Sequence, residues 1–414
     1  MNKEYFDLLL KMKNKSRKPV SLFGKGESST GAFRPFCLLS EQKIKAQPIF
    51  SYENLKSSTN EDFSGLKLRL VKMQAGLGSS VKRNDIIKKF QNRENLGSKG
   101  TDLFFPVGES KFRSVAHLQV LQAYNLRSSF GFSDVKIQFL VNDETSKQIE
   151  SCVDSLDGEL REVVAPEVFQ EMMPTISESG ELTNERLAPA GHGFIGFNEV
   201  YHALCSNEDE LICIGNGEDL NSSPDEKILS HITQNNIPVV MITTTKTSAD
   251  LKGGQMGIIK EGEKEIISIF EKAQAEESGQ LEYFEKLGLR EQDNESFFNT
   301  NMAIINTRAL RGAFNRLDLS IESFLESIAP EVIQNVKIQN GKKFIQLESA
   351  LGSVLLNMSA FFMRKTGENI LHLCNVGELN RHKFFLPIKS REDYDFYLKN
   401  YEVSIPEFVL KPKK

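Results

Sequence analysis

The chain has 414 residues, 39% of them hydrophobic and 26% charged, an ordinary composition for a soluble folded protein. Lys and Arg number 51 against 56 Asp and Glu, a net charge of −5, so nothing in the overall balance draws the chain to nucleic acid or an anionic membrane. A spanning helix needs roughly 18 or more consecutive apolar residues, and the most apolar stretch, 349–363, is broken by Gly352, Ser353, Asn357 and Ser359.

The first 25 residues carry seven cations (Lys3, Lys11, Lys13, Lys15, Arg17, Lys18, Lys25) against Glu4 and Asp7. Leu8, Leu9, Leu10 and Met12 are predicted to line one face of a short docking helix on this basic arm. The segment has neither the long apolar core nor the small-residue cleavage site of a signal peptide. Residues 27–62, rich in Ser and Phe, read as a wrapping segment. From Leu66 the pattern changes: Leu66, Leu68 and Leu70 alternate with Lys67 and Arg69, the period of a strand. This strand runs through Val71 and Met73 into the turn Gly76-Leu77-Gly78-Ser79-Ser80. Val115, Leu118, Leu121 and Tyr124 recur at helical spacing, and Val135–Val141 is a second apolar strand. Further strands are predicted at 211–215 and 238–245, with helices at 199–205 and 225–234. Strands separated by helix-length segments point to an α/β fold with a mostly parallel sheet and helices on both faces.

In such sheets ligands bind beyond the carboxyl ends of the strands, and polar turns follow these strands. Glycines in Gly76–Ser80 let backbone N–H groups approach a phosphate. Val141-Asn142-Asp143, Gly191-His192-Gly193, Asn216-Gly217-Glu218-Asp219, Lys252-Gly253-Gly254 and Phe298-Asn299-Thr300-Asn301 add Asn, His and carboxylate. Any one of these turns is explained by backbone geometry alone, but five together suit a ligand with many hydroxyls and phosphates. The five cysteines (Cys37, Cys152, Cys205, Cys213, Cys374) form no CxxC pair, which favours a reducing compartment, the cytoplasm, over disulfides or structural zinc. The six histidines form no HExxH or HxxxH pattern, leaving an oxygen-ligated cation such as Mg²⁺ as the metal option.

Taken together these residues resemble the eukaryotic-type UTP–glucose-1-phosphate uridylyltransferase (UDP-glucose pyrophosphorylase) family. The boxes are Ala75–Ser80, Ala190–Phe194, Asn216–Leu220, Thr247–Gly254, Phe298–Met302, Ile345–Ala350 and Phe385–Lys389, in the family's order. The resemblance implies a Rossmann-like catalytic domain of the nucleotide-diphospho-sugar transferase type over 63–400, after an arm over 1–62 and before a short tail over 401–414. It implies transfer of uridylyl from UTP to a sugar 1-phosphate, most simply glucose 1-phosphate, with Mg²⁺. Ala75, Gly76, Gly78, Ser79, Val141, Asn142, Gln170 and Gly191 would bind the nucleotide. His192, Asn216, Gly254, Asn301 and Glu348 would bind the sugar phosphate. Glu218 and Asp219 would hold the metal, and Lys389 and Lys99 would supply catalytic charge.

Three departures from the family pattern stand out. Asp102 occupies the place of a phosphate-binding lysine, a reversal of charge expected to lie beside the triphosphate. The inserted stretch Val81–Gly97 carries Lys82, Arg83, Lys88, Lys89 and Arg93 against Asp85 and Glu94. Either one of these cations, or Lys99, replaces the missing lysine, or the stretch is a solvated basic helix. Glu218 stands for an aspartate, and Phe194 for an aspartate expected near the sugar. The chain stops too soon after Lys389 for the family's C-terminal left-handed β-helix, so a monomer, or a dimer formed by some other surface, is expected, with no nucleic-acid or membrane partner. The departures keep two other readings open: a relative that binds a nucleotide or UDP-sugar without turnover, and a uridylyltransferase for another sugar 1-phosphate.

Overall fold

The computed structural model describes residues 35–38, 48–56, 63–78, 81–108, 111–180, 182–247, 250, 253–270, 281–286, 295–329, 333–339, 342–349 and 351–413. The predicted docking helix around Leu8–Met12 and the turn residues Ser79 and Ser80 lie outside them. Eight strands form the spine of an 11-stranded sheet: β1 (Ile49–Ser51), β2 (Lys67–Met73), β3 (Asp134–Val141), β4 (Val168–Phe169), β5 (Glu210–Asn216), β6 (Val239–Thr245), β7 (Phe297–Asn306) and β8 (Leu371–Asn375). Their spatial order is β1-β8-β6-β7-β5-β2-β3-β4. All neighbours are parallel except β7, which runs antiparallel to both β6 and β5. The expected Rossmann-like, mostly parallel architecture is therefore present.

The central strands are apolar throughout because both sheet faces are covered. Along β5, Ile212 and Ile214 face one cluster while Leu211 and Cys213 face the other. In β6 the same alternation sets Val239 and Met241 against Val240 and Ile242. The first face packs on the helices Gly193–Cys205, Thr307–Phe314 and Leu351–Thr366, the second on Val115–Ser129, Ser146–Asp154 and Glu226–Gln234. Each fully buried Val, Leu or Ile contributes about 1.5–3 kcal/mol. The stretch 349–363, conspicuous for its apolarity, forms most of one covering helix, with Val354, Leu355, Met358 and Phe362 in the core. Among the described residues no helix is long and apolar enough to cross a membrane.

Two additions frame the ligand end. A four-stranded sheet, ordered Ile333–Gln339, Lys342–Glu348, Met172–Ile176 and Leu182–Pro189, stands over the carboxyl ends of the main strands. Within the stretch expected as a tail over 401–414, Tyr401–Val403 pairs with Leu410–Pro412 as an antiparallel hairpin. Leu410 and Val403 pack in a third cluster with Leu220, Leu386 and Ile388.

Candidate active site

The parallel strands deliver their carboxyl ends, and antiparallel β7 its amino end, to one cleft of about 750 Å³ beneath the small sheet. That volume suits a ligand of nucleotide size. β2 leads into Ala75, Gly76, Leu77 and Gly78, β3 into Asn142, β4 into Gln170 and β5 into Asn216 and Glu218. The start of β7 contributes Phe298, Asn299, Thr300 and Asn301. Gly191, His192, Gly254, Glu348, Phe385 and Lys389 complete the lining named from sequence.

The walls are fixed by local hydrogen bonds. Asn142 Nδ2 donates to the Ala75 carbonyl at 2.6 Å, tying the glycine turn to β3. Asn142 Oδ1 accepts from the backbone N–H of Glu144 and Thr145, both at 3.0 Å, closing a turn that the sequence marks only as Asn-Asp-Glu-Thr. Gln170 Nε2 donates to the Gly191 carbonyl at 3.3 Å. Gly191 has φ +76° and bridges Ser349; a Cβ there would sit 2.6 Å from the Ser349 oxygen, so only glycine fits. Asn301 has φ +62° and donates through Nδ2 to Asn216 Oδ1 at 2.9 Å, joining antiparallel β7 to parallel β5. Arg381 grips Asp250 with two bonds of 2.9 and 2.7 Å, tying Asp250 to the segment that leads into Phe385–Lys389.

The charges are arranged unevenly. Lys389 Nζ lies 5.9 Å from the Phe298 ring and 5.8 Å from the Phe385 ring, within cation–π range at the cleft. Lys99 Nζ donates to Glu218 Oε1 at 3.3 Å and to the Ile388 carbonyl at 2.9 Å. Burial lowers the pKa of His192, which favours a neutral imidazole at the cleft wall.

Several residues named from sequence lie away from the cleft surface. Val141 is fully buried in the core and reaches this region only through its carbonyl, which accepts from Gln170 N at 2.7 Å. Asp219 does not line the cleft: its two oxygens accept backbone N–H bonds from Asn221 and Leu386, both at 3.0 Å, and burial pushes its pKa up to about 7. So held, Asp219 ties the Asn216–Leu220 turn to the start of the Phe385–Lys389 segment. Lys99 is beside the cleft through Glu218 but is not itself among the lining residues. Phe194 is 1% exposed and packs in the core rather than on the cleft lining. Asp102 is wholly buried, and Arg83 and Arg93 neutralise it, so it does not face a triphosphate.

Other lining residues escaped the sequence reading. Glu144 follows Asn142 in the same turn, and Lys337 belongs to a strand outside every box, with its Nζ 3.7 Å from Glu348. Gly352 opens the covering helix, where a Cβ would press on Ile269 at 2.8 Å.

Metal donors are sparse. Among the described residues no group of three or more His, Cys, Asp or Glu could hold an ion. Glu144, Glu218 and Glu348 each bring one carboxylate to the cleft. Such isolated carboxylates fit Mg²⁺, which takes one or two protein oxygens and completes its shell with substrate phosphates and water.

The model of the UTP–glucose-1-phosphate uridylyltransferase family matches residues 117–413. The chain belongs to this family. Among curated uridylyltransferases, that of Musa acuminata is 26% identical over 309 residues, spanning 72% of this chain and 58% of the relative. The Hordeum vulgare protein is 27% identical over 286 residues, spanning 67% of this chain and 53% of the relative. The chain thus spans less than two thirds of the length of the curated relatives it matches. Solved UDP-glucose pyrophosphorylase from Leishmania major superposes with a TM-score of 0.68 at 19% identity, covering 100% of this chain and 79% of that one. UDP-glucose phosphorylase from Trypanosoma brucei gives 0.67 at 17% identity with the same coverage. These structural likenesses establish that this uridylyltransferase-family chain shares their fold.

Proposed function

We propose that the protein transfers uridylyl from UTP to glucose 1-phosphate, yielding UDP-glucose and pyrophosphate. The observation that carries this reading is the convergence of the glycine turn, the Asn216–Asn301 pair and Lys389 on one cleft. An oxygen of the sugar phosphate attacks the α-phosphorus of UTP, and the bond from that phosphorus to the pyrophosphate oxygen breaks. Both partners are polyanions, so the chain must orient them and supply positive potential as they meet. The Ala75–Gly78 backbone receives the nucleotide phosphates, with Gln170 and Gly191 placed for the base. His192, Gly254, Asn301 and Glu348 receive the sugar phosphate and its hydroxyls. Lys389 offers a compact positive charge on a flexible stem. Mg²⁺ bound at Glu218 would screen phosphate charge, a Lewis-acid contribution.

The test is pyrophosphate release from UTP, glucose 1-phosphate and Mg²⁺, with Lys389→Ala as control. Release that depends on Lys389 supports the proposal. Release only with a different sugar 1-phosphate would move the specificity, and UTP binding without release from any sugar phosphate would reduce the protein to a binder.

A further inference from the structure

Arg83 belongs to the inserted stretch and has no exposed surface. A guanidinium has five N–H donors, and every one is engaged. Nε donates to Asp102 Oδ2 at 2.8 Å, and Nη1 donates to the carbonyls of Gly78 at 2.9 Å and Val81 at 3.1 Å. Nη2 donates to the Leu77 carbonyl and, at 2.9 Å, to that of Gly97. Asp102, equally buried, also accepts from the Gly97 N–H at 2.9 Å, from Thr101 Oγ1 at 3.1 Å and from Arg93. Leu77 and Gly78, whose carbonyls this arginine holds, line the cleft.

The consequence lies in the peptide plane. In a trans peptide the carbonyl and the N–H point in opposite directions. Drawing the Leu77 carbonyl onto buried Arg83 therefore turns the Gly78 N–H away from Arg83. Gly78 adopts φ +56°, and a Cβ there would come within 2.3 Å of the Lys99 side chain, so the turn is built tightly around this orientation.

We infer that Arg83 is the positioning residue of the nucleotide cradle: it grips the loop from beneath by its carbonyls and so presents backbone N–H to the phosphates of a nucleoside triphosphate. The inference rests on the uridylyl-transfer reading of the cleft and adds a residue to it. Asp102 is then the counter-ion that lets a guanidinium be buried under the loop. Lysine cannot replace Arg83, because three donors on one nitrogen cannot reach four carbonyls and a carboxylate arrayed around a planar fork.

The test compares wild type, Arg83→Lys and the double variant Arg83→Met with Asp102→Leu, which leaves neither of the two fully buried charges without its partner. Calorimetric UTP binding, KM for each substrate and thermal unfolding are measured. Expected is a rise of about tenfold or more in the Kd and KM for UTP in each folded variant, with KM for the sugar 1-phosphate within about twofold. A folded double variant that binds UTP as wild type does would overturn the inference, as would equal losses of both substrates. Wild type that binds UTP but releases no pyrophosphate would remove the uridylyl-transfer reading alone. Wild type that binds no UTP would remove both.

Discussion

Glu218 Oε1 and Lys99 Nζ stand 3.3 Å apart, and the same ammonium donates to the Ile388 carbonyl one residue before Lys389. One lysine thus links the carboxylate at the end of β5 to the loop that carries the cleft's principal cation. Glu218→Gln preserves shape and removes the negative charge. We expect the Mg²⁺ concentration for half-maximal pyrophosphate release to rise by about 10-fold or more, with thermal stability little changed. A metal titration that overlays wild type would take Glu218 out of the metal-binding role.

Lys389 is exposed at the cleft, with two aromatic rings beneath its ammonium. Lys389→Ala should lower kcat/KM by roughly 10²–10³, the range for losing one electrostatic stabiliser. Unfolding free energy should stay within about 0.5 kcal/mol of wild type, as for surface substitutions generally. Initial rates paired with urea denaturation separate the two effects.

Gly191→Ala places a methyl group 2.6 Å from the Ser349 oxygen at a left-handed φ. The strain should cost about 1–3 kcal/mol in chemical denaturation and loosen the bridge between the small sheet and the Gly191–His192 turn. Wild-type stability for this variant would mean the turn can relax without the bridge.

Acid should weaken the fold through two half-buried imidazoles. Burial, reinforced by the neighbouring His231, holds His372 at about 4, below its ordinary 6.5. A depressed folded-state pKa means the unfolded chain takes up the proton first. The stability contribution is therefore complete above about pH 6.5 and is lost as pH falls toward 4. Burial and the Arg113 charge hold His117 at about 4 as well. Urea midpoints measured from pH 7.5 to 4.5 should fall steadily, and His372→Gln should flatten part of that fall; a variant with the wild-type slope would assign the acid sensitivity elsewhere.

Much of the frame was legible because its signals are local. β5 and β6 are short apolar runs that end in polar turns, and the helix starting at Val115 shows its spacing directly. Direction is not a local property: nothing in Phe297–Asn306 says that it opposes both its neighbours, because the side-chain period of a strand is the same either way. The small sheet was missed for a related reason, since Met172–Ile176 and Lys342–Glu348 pair across a long separation. The fate of Asp102 was hidden too. A charge reversal reads as a threat to phosphate binding until the fold shows Arg83 closed over it, 19 positions earlier in the chain. Motif position likewise does not say that the side chains of Val141 and Asp219 are buried, because a motif fixes a residue's place along the chain and not the way its side chain faces.

The Tyr401–Pro412 hairpin has a practical corollary. Asn221, two residues past Asp219, exchanges two hydrogen bonds of 2.8 Å with the backbone of Leu410, and Gln122 Nε2 donates to the Phe408 carbonyl at 2.9 Å. The hairpin is therefore a splint for the segment that presents Glu218, and a version trimmed before Leu410 for expression or crystallisation would surrender that support beside the cleft.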